Sequence, residues 1–318
     1  MDRRICMDKV FGINFRSYWM GISICMVMLL HIVMYRSSDE FLFRTLKMLF
    51  LQGDAGVNVF FFLSAYGLCH SLENNSINKF YRNRISRIYP MYLVYIVGLY
   101  VYRGCPVDYK SLFLDLSGLK VFCWDERPGD AWYMSAIIIT YLLFPLLFRL
   151  MSKSIMRKWQ MVLLVVVMIT FLYYIPGIHS FFLAMFHARL YIVLLGIASY
   201  FMIEDKQKTA LIKLYSSVAA LSLFFYNDCS FYFYIPLVLW CCDRLINKHP
   251  CFHFFSFIGR HSLEIYLAQV FTLQVLLANT MGNYYLDVML CLLLTIPLAW
   301  ILYVAHKYSW KLINFRCK

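Results

Sequence analysis

His31 stands inside an apolar run, Tyr18 to Tyr35, where a titratable ring is costly to bury and therefore asks for a chemical reason. Imidazole titrates near pH 6.5, which suits it to taking a proton from a hydroxyl near neutrality. An interfacial histidine satisfied by a backbone carbonyl or by water accounts for the residue equally well. A second apolar run follows, Gly56-Val57-Asn58-Val59-Phe60-Phe61-Phe62-Leu63-Ser64. Asn58 could orient the imidazole by a hydrogen bond, or could be a polar cap near a helix start. The small residues Gly53, Ala55 and Gly56 permit close helix approach, which alone could explain the segment.

Basic residues come next. Arg84 and Arg87 lie in Phe80-Tyr81-Arg82-Asn83-Arg84-Ile85-Ser86-Arg87-Ile88-Tyr89-Pro90. Residues three apart share a helix face, so the pair would make a forked site for phosphates. The simpler alternative is a positively charged anchor on lipid headgroups. Pro90 is expected to mark the start of the span that follows. Asp130 and Trp132 open a later run, where the indole is either an interfacial belt residue or a platform for a sugar ring. Glu264 and Gln269 fall within the segment that starts near Ser262. A carboxylate at membrane depth must pair or protonate, so Glu264 is expected to face an internal cavity, with Arg260 or Arg189 as partner.

The elements that must hold these groups are membrane helices. The chain is 62% hydrophobic and only 15% charged, far from the balance of a soluble domain. About 20 apolar residues cross a bilayer as a helix. Approximate spans are 18–35, 55–72, 88–102, 131–150, 160–176, 181–202, 210–226, 229–245, 262–279 and 285–305. The fold class is an all-α integral membrane protein, a bundle of about ten transmembrane helices in one membrane-embedded domain, 1–318. With a cytoplasmic N-terminus, 22 lysines and arginines gather on one side, seven on the other, and Arg189 lies inside a span. That asymmetry predicts that both termini are cytoplasmic. It also accounts for the net charge of +13 as topology, not nucleic-acid binding. The eleven cysteines show no zinc-like spacing, and no metal site is expected. By the same topology His31 lies about 6 Å below the outer surface, at 1.5 Å per residue. Asn58 and Trp132 share the outer third, and Arg84 and Arg87 lie on the cytoplasmic side.

Together these residues resemble the acyltransferase 3 family of membrane O-acyltransferases. The resemblance rests on five ordered pieces that span most of the chain. They are His31 late in the first helix, the Gly56 to Ser64 segment, and the R-x-x-R-I-x-P run from Arg84 to Pro90. Trp132 and Tyr133 with Tyr141 and Pro145, and the Gly259 to Leu267 segment, complete the set. What the resemblance implies is acyl transfer to an extracytoplasmic acceptor. The donor would be acyl-coenzyme A, most simply acetyl-CoA, held as a substrate at Arg84 and Arg87 with no resident cofactor. The acceptor would be a glycan hydroxyl, from a surface polysaccharide or a lipid-linked sugar, deprotonated by His31 with Asn58 holding the ring. Trp132, Asp130, Glu264 and Gln269 would contact substrate. The chain departs from the family pattern at three places. Met20 stands where many members carry a basic residue, with Arg16 one turn earlier. Asn58 stands for a common aspartate, and Gln269 ends a pattern that usually ends in histidine. A bacterial inner (cytoplasmic) membrane is the expected location. Polar groups inside helices serve packing as well as chemistry, so a homo-oligomer stays open. A transporter or flippase for an acylated or lipid-linked sugar, and a non-catalytic scaffold, are the alternative readings.

Overall fold

Lipid offers a backbone no hydrogen-bond partner, so a chain this apolar must satisfy its amides within helices. The structure, a computed structural model, describes residues 13–35, 51–104, 108–118, 132–152, 181–204, 213, 215–216, 235–246, 252–278 and 284–315. Among the described residues there are ten helices and no strand. In chain order they are α1 (Ile13–Tyr35), α2 (Asp54–Glu73), α3 (Ile77–Arg103), α4 (Tyr109–Ser117) and α5 (Trp132–Ser152). There follow α6 (Phe181–Glu204), α7 (Ile235–Ile246), α8 (Phe252–Arg260), α9 (Ser262–Ala278) and α10 (Tyr284–Phe315). Helices α1, α2, α3, α5 and α10 each contain a stretch long and apolar enough to cross a membrane.

Eight of the expected spans fall on described helices. The span 160–176 lies outside the described residues, and of 210–226 only Lys213, Tyr215 and Ser216 are described. Two short helices of nine residues, α4 and α8, were not foreseen. Helix α3 also starts eleven residues earlier than expected, at Ile77. Its start is set by Ser76, in extended conformation, whose hydroxyl accepts from the Lys79 N–H at 3.4 Å. Pro90 therefore lies inside the helix and not at its start, and Arg84 and Arg87 are helical. The proline forfeits one backbone hydrogen bond, a loss that membrane helices tolerate when neighbouring groups take up the freed carbonyl.

In lipid the hydrophobic effect does not draw helices together, so association rests on close packing. Helix α1 is gripped from two sides. On one side α2 runs antiparallel to it: Gly53 lies against Met26 and Leu30, Gly56 against Ser23, and Gly67 against the Arg16 guanidinium. A Cβ on Gly56 would sit 2.6 Å from the Ser23 carbonyl oxygen. On the other side α8 crosses so tightly that a Cβ on Gly21 would collide with the Phe255 carbonyl, and one on Gly259 with that of Ser17. The chain then turns at His261, and α9 returns alongside α1 and brings Gln269 to Met28. Helix α6 lies parallel to α2, with Gly196 against Phe62 and Ala65. Helix α10 covers α9 and α3 and leaves Leu292, Leu293, Ile296, Trp300 and Ile301 exposed, an apolar face suited to lipid.

Gly259→Leu is expected to abolish a monodisperse peak in fluorescence-detected size exclusion. Gly104→Ala, at a left-handed helix end with open space around it, is expected to keep the peak and to cost about 1–2 kcal/mol in a detergent melt.

Candidate active site

Helices α1, α2, α3, α5 and α9 enclose a cavity of about 680 Å³. His31, Asp54 and Trp132 line it, and so do Arg16, Arg84 and Arg87. His31 and Arg16 are fifteen residues apart on α1, which is about 22 Å along a helix. Since α2 is antiparallel, Asp54 faces the His31 end and Leu68 the Arg16 end. The cavity is therefore elongated, with a histidine at one end and a cluster of guanidiniums at the other.

At the first end, His31 Nδ1 lies 3.3 Å from Gln269 Oε1. The other end of that amide donates from Nε2 to the Met28 carbonyl at 3.0 Å. Tyr266 packs on the imidazole with ring centroids 6.2 Å apart, and Tyr133 stands edge-on to Tyr266 at 5.0 Å. Close by, Arg189 donates to both carboxylate oxygens of Asp54, at 2.6 and 2.8 Å. Arg189 is fully buried and also lies over the Trp132 ring, 5.3 Å from its centroid. A guanidinium at membrane depth must be neutralised, and here a carboxylate and an aromatic face do it together. Asp54 keeps 20% of its side chain accessible and lines the cavity.

The second end gathers guanidiniums. Arg84 donates to Ser71 Oγ at 3.0 Å and lies over Phe80 at 5.7 Å. Among the described residues no carboxylate pairs with Arg16, Arg84 or Arg87. The Nε groups of Arg16 and Arg84 are buried with no hydrogen-bond partner among the described residues. Three guanidiniums line the one cavity, and their planar forks have the geometry to match phosphate oxygens.

The sequence-derived candidates separate on this geometry. His31, Arg84, Arg87 and Trp132 all line the one cavity. Asn58 does not meet the imidazole: its side chain is fully buried and donates to the Asp54 carbonyl, one turn back, at 3.1 Å. The side chain that meets His31 comes instead from Gln269, which does not line the cavity because both ends of its amide are engaged within the protein. Glu264 is buried but is likewise absent from the lining. At about 100° per residue, Ser262, Tyr266 and Gln269 cluster on one side of α9, and Glu264 points away from them. It lies within electrostatic range of His306 on α10, while Arg189, its candidate partner, is committed to Asp54 at the other end of the cavity. Asp130 lies outside the described residues. Sequence reasoning missed Asp54 and the role of Arg16. The available signal for Asp54 was the lone arginine in a span, which demands a carboxylate somewhere.

With that geometry in view, comparison with known proteins is decisive for the class. The family model described as an acyltransferase domain, that of the acyltransferase 3 family, matches residues 18–304. The chain belongs to the acyltransferase 3 family. Acyltransferase MdmB of Streptomyces mycarofaciens is 32% identical over 123 residues, which is 33% of this chain and 31% of that protein. The match thus spans about a third of the relative's length. No solved structure shows a significant match. Two departures of this chain from the pattern on which the resemblance rests take on a meaning. Arg16 is four residues before Met20 and Asp54 four before Asn58, so each charged residue stands one turn earlier on its helix and lines the cavity.

A double-mutant cycle at Asp54 and Arg189 is expected to show a coupled buried pair. Arg189→Met alone should cost about 3–5 kcal/mol, and Asp54→Leu with Arg189→Met should recover most of that loss in a thermal melt.

Proposed function

We propose that this acyltransferase moves an acyl group, acetyl from acetyl-CoA, across the membrane to a hydroxyl of an extracytoplasmic glycan in the bacterial inner membrane. The observation that carries the reading is the cavity that joins His31 to an arginine trio which, among the described residues, forms no ion pair with a carboxylate. The donor is anionic at its nucleotide end and carries its thioester on a long flexible arm. Its phosphates lie against Arg16, Arg84 and Arg87 at the cytoplasmic end, and the arm extends along the cavity toward His31. Orientation by the positive-inside asymmetry gives donor and acceptor opposite sides of the membrane.

His31 acts as general base. It takes the proton of the acceptor hydroxyl as the oxygen attacks the thioester carbonyl. The C–O bond forms, the C–S bond breaks, and the thiolate of coenzyme A leaves and takes up the proton that the imidazole holds. The sugar ring stacks on Trp132, whose other face carries Arg189, and its free hydroxyls donate to Asp54. The buried Asp54–Arg189 pair holds those two groups in place without placing net charge beside the acceptor.

Two measurements test the reading. In a deletion strain, wild type but not His31→Ala, at equal expression, is expected to restore O-acetyl groups on the surface polysaccharide, read by NMR. Restoration by both would remove His31 as base. In membranes, Arg84→Ala is expected to raise KM for acetyl-CoA about tenfold or more, the equivalent of one charged hydrogen bond of ~1.5–3 kcal/mol. An unchanged KM would sink the docking half of the proposal.

A further inference from the structure

The contact behind the imidazole has a chemical consequence. At ordinary resolution the two ends of a glutamine amide look alike, and the hydrogen-bond network decides which is which. Here it decides cleanly. Only an N–H can face the Met28 carbonyl, because that carbonyl only accepts, so Nε2 lies there at 3.0 Å and Oε1 faces His31. An amide oxygen also only accepts. The 3.3 Å contact with Nδ1 is therefore a hydrogen bond only when Nδ1 carries the proton. In a neutral imidazole the other nitrogen, Nε2, is then the one that carries no proton.

We propose that Gln269 is a positioning residue that holds His31 in the Nδ1–H tautomer and so leaves Nε2 as the proton acceptor. Met28 and His31 belong to the same helix, three residues apart, so the amide of Gln269 is anchored to the element whose histidine it orients. Gln269 is fully buried. The opposite tautomer would set the Nδ1 lone pair against the Oε1 lone pairs. Turning the amide to relieve that clash would set an NH₂-free oxygen against the Met28 carbonyl instead. Within the glutamine, the two hydrogen bonds therefore fix one amide orientation and one tautomer. The catalytic consequence rests on the acyl-transfer reading above, whereas the tautomer is a property of the chain itself.

The test has two readouts on the full chain in lipid nanodiscs. The first is 15N NMR of histidine-labelled protein at a pH about two units above the ordinary imidazole value of ~6.5, with His31→Gln identifying the signal. Wild type is expected to show a protonated Nδ1 and an unprotonated Nε2 at His31. Gln269→Leu is expected to show both tautomers, and Gln269→Glu, which keeps an acceptor oxygen, to retain the first. The second readout is transfer kinetics. Gln269→Leu is expected to lower kcat about tenfold or more, short of the 100-fold or greater loss from removing the base, with KM for acetyl-CoA unchanged within about twofold. Gln269→Glu should retain more kcat than Gln269→Leu, the reverse of what a purely packing role predicts for a buried charge. A protonated Nε2 in wild type, or no change of tautomer in Gln269→Leu, would overturn the proposal. A changed tautomer with unchanged kcat would overturn the positioning role. If wild type transfers no acyl group from any donor, the functional reading fails, and the NMR arm still decides the tautomer.

Discussion

Everything at the site depends on how closely two helices approach α1. In a bilayer there is no apolar surface to hide from water, so a bundle holds together through dispersion at short range and through satisfied polar groups. Glycines on α1, α2 and α8 remove the side chains that would keep the backbones apart. With α8 held against Ser17 and Phe255 packed on Gly21, the turn at His261 returns α9 along α1 at a register that sets Gln269 beside Met28 and His31. With α2 held against Met26 and Ser23, Asp54 comes to the same end of the cavity as His31. A bulkier residue at these crossings would push the helices apart and separate the groups that act together.

The two ends of the cavity handle charge in opposite ways. At the His31 end a guanidinium, a carboxylate and an indole compensate one another, so the region is polar but close to neutral. At the other end three arginines line the space, and among the described residues none of them forms an ion pair with a carboxylate. Like charges in a medium of low dielectric repel strongly, and such an arrangement is stable only if an anion or solvent relieves it. In the proposed function a neutral sugar hydroxyl would meet the first end and the phosphates of an acyl carrier the second.

Much of this was legible from residue types. The apolar runs announced helices, and the intramembrane His31 and the Arg84–Arg87 pair drew attention as groups that need a reason to be where they are. The partners were not legible. Arg189 demanded a carboxylate, and Glu264 was as plausible as any, until the helix arrangement placed Asp54 against it and put Glu264 on the far side of α9. Asn58 looked like the residue to hold the imidazole because it lies near His31 in depth, yet depth does not determine direction. Its amide turns back to its own helix, and the imidazole finds Gln269, 238 residues away in sequence. The start of α3 was missed because its first turns are polar, and α4 and α8 because nine residues are too few to register as a membrane span.

By itself the sequence determined that the chain is helical and membrane-embedded, because no other backbone arrangement of such apolar segments is tolerated by lipid. It also determined which side chains are chemically able to act, and their order along the chain was enough to resemble the right family. The tertiary structure alone decided which of them share one cavity and which atoms touch. Sequence spacing reports the face of a single helix, whereas a partner on another helix depends on crossing angle and register. Here those were set by backbone contacts at a few glycines, whose consequences appear only once the helices are assembled.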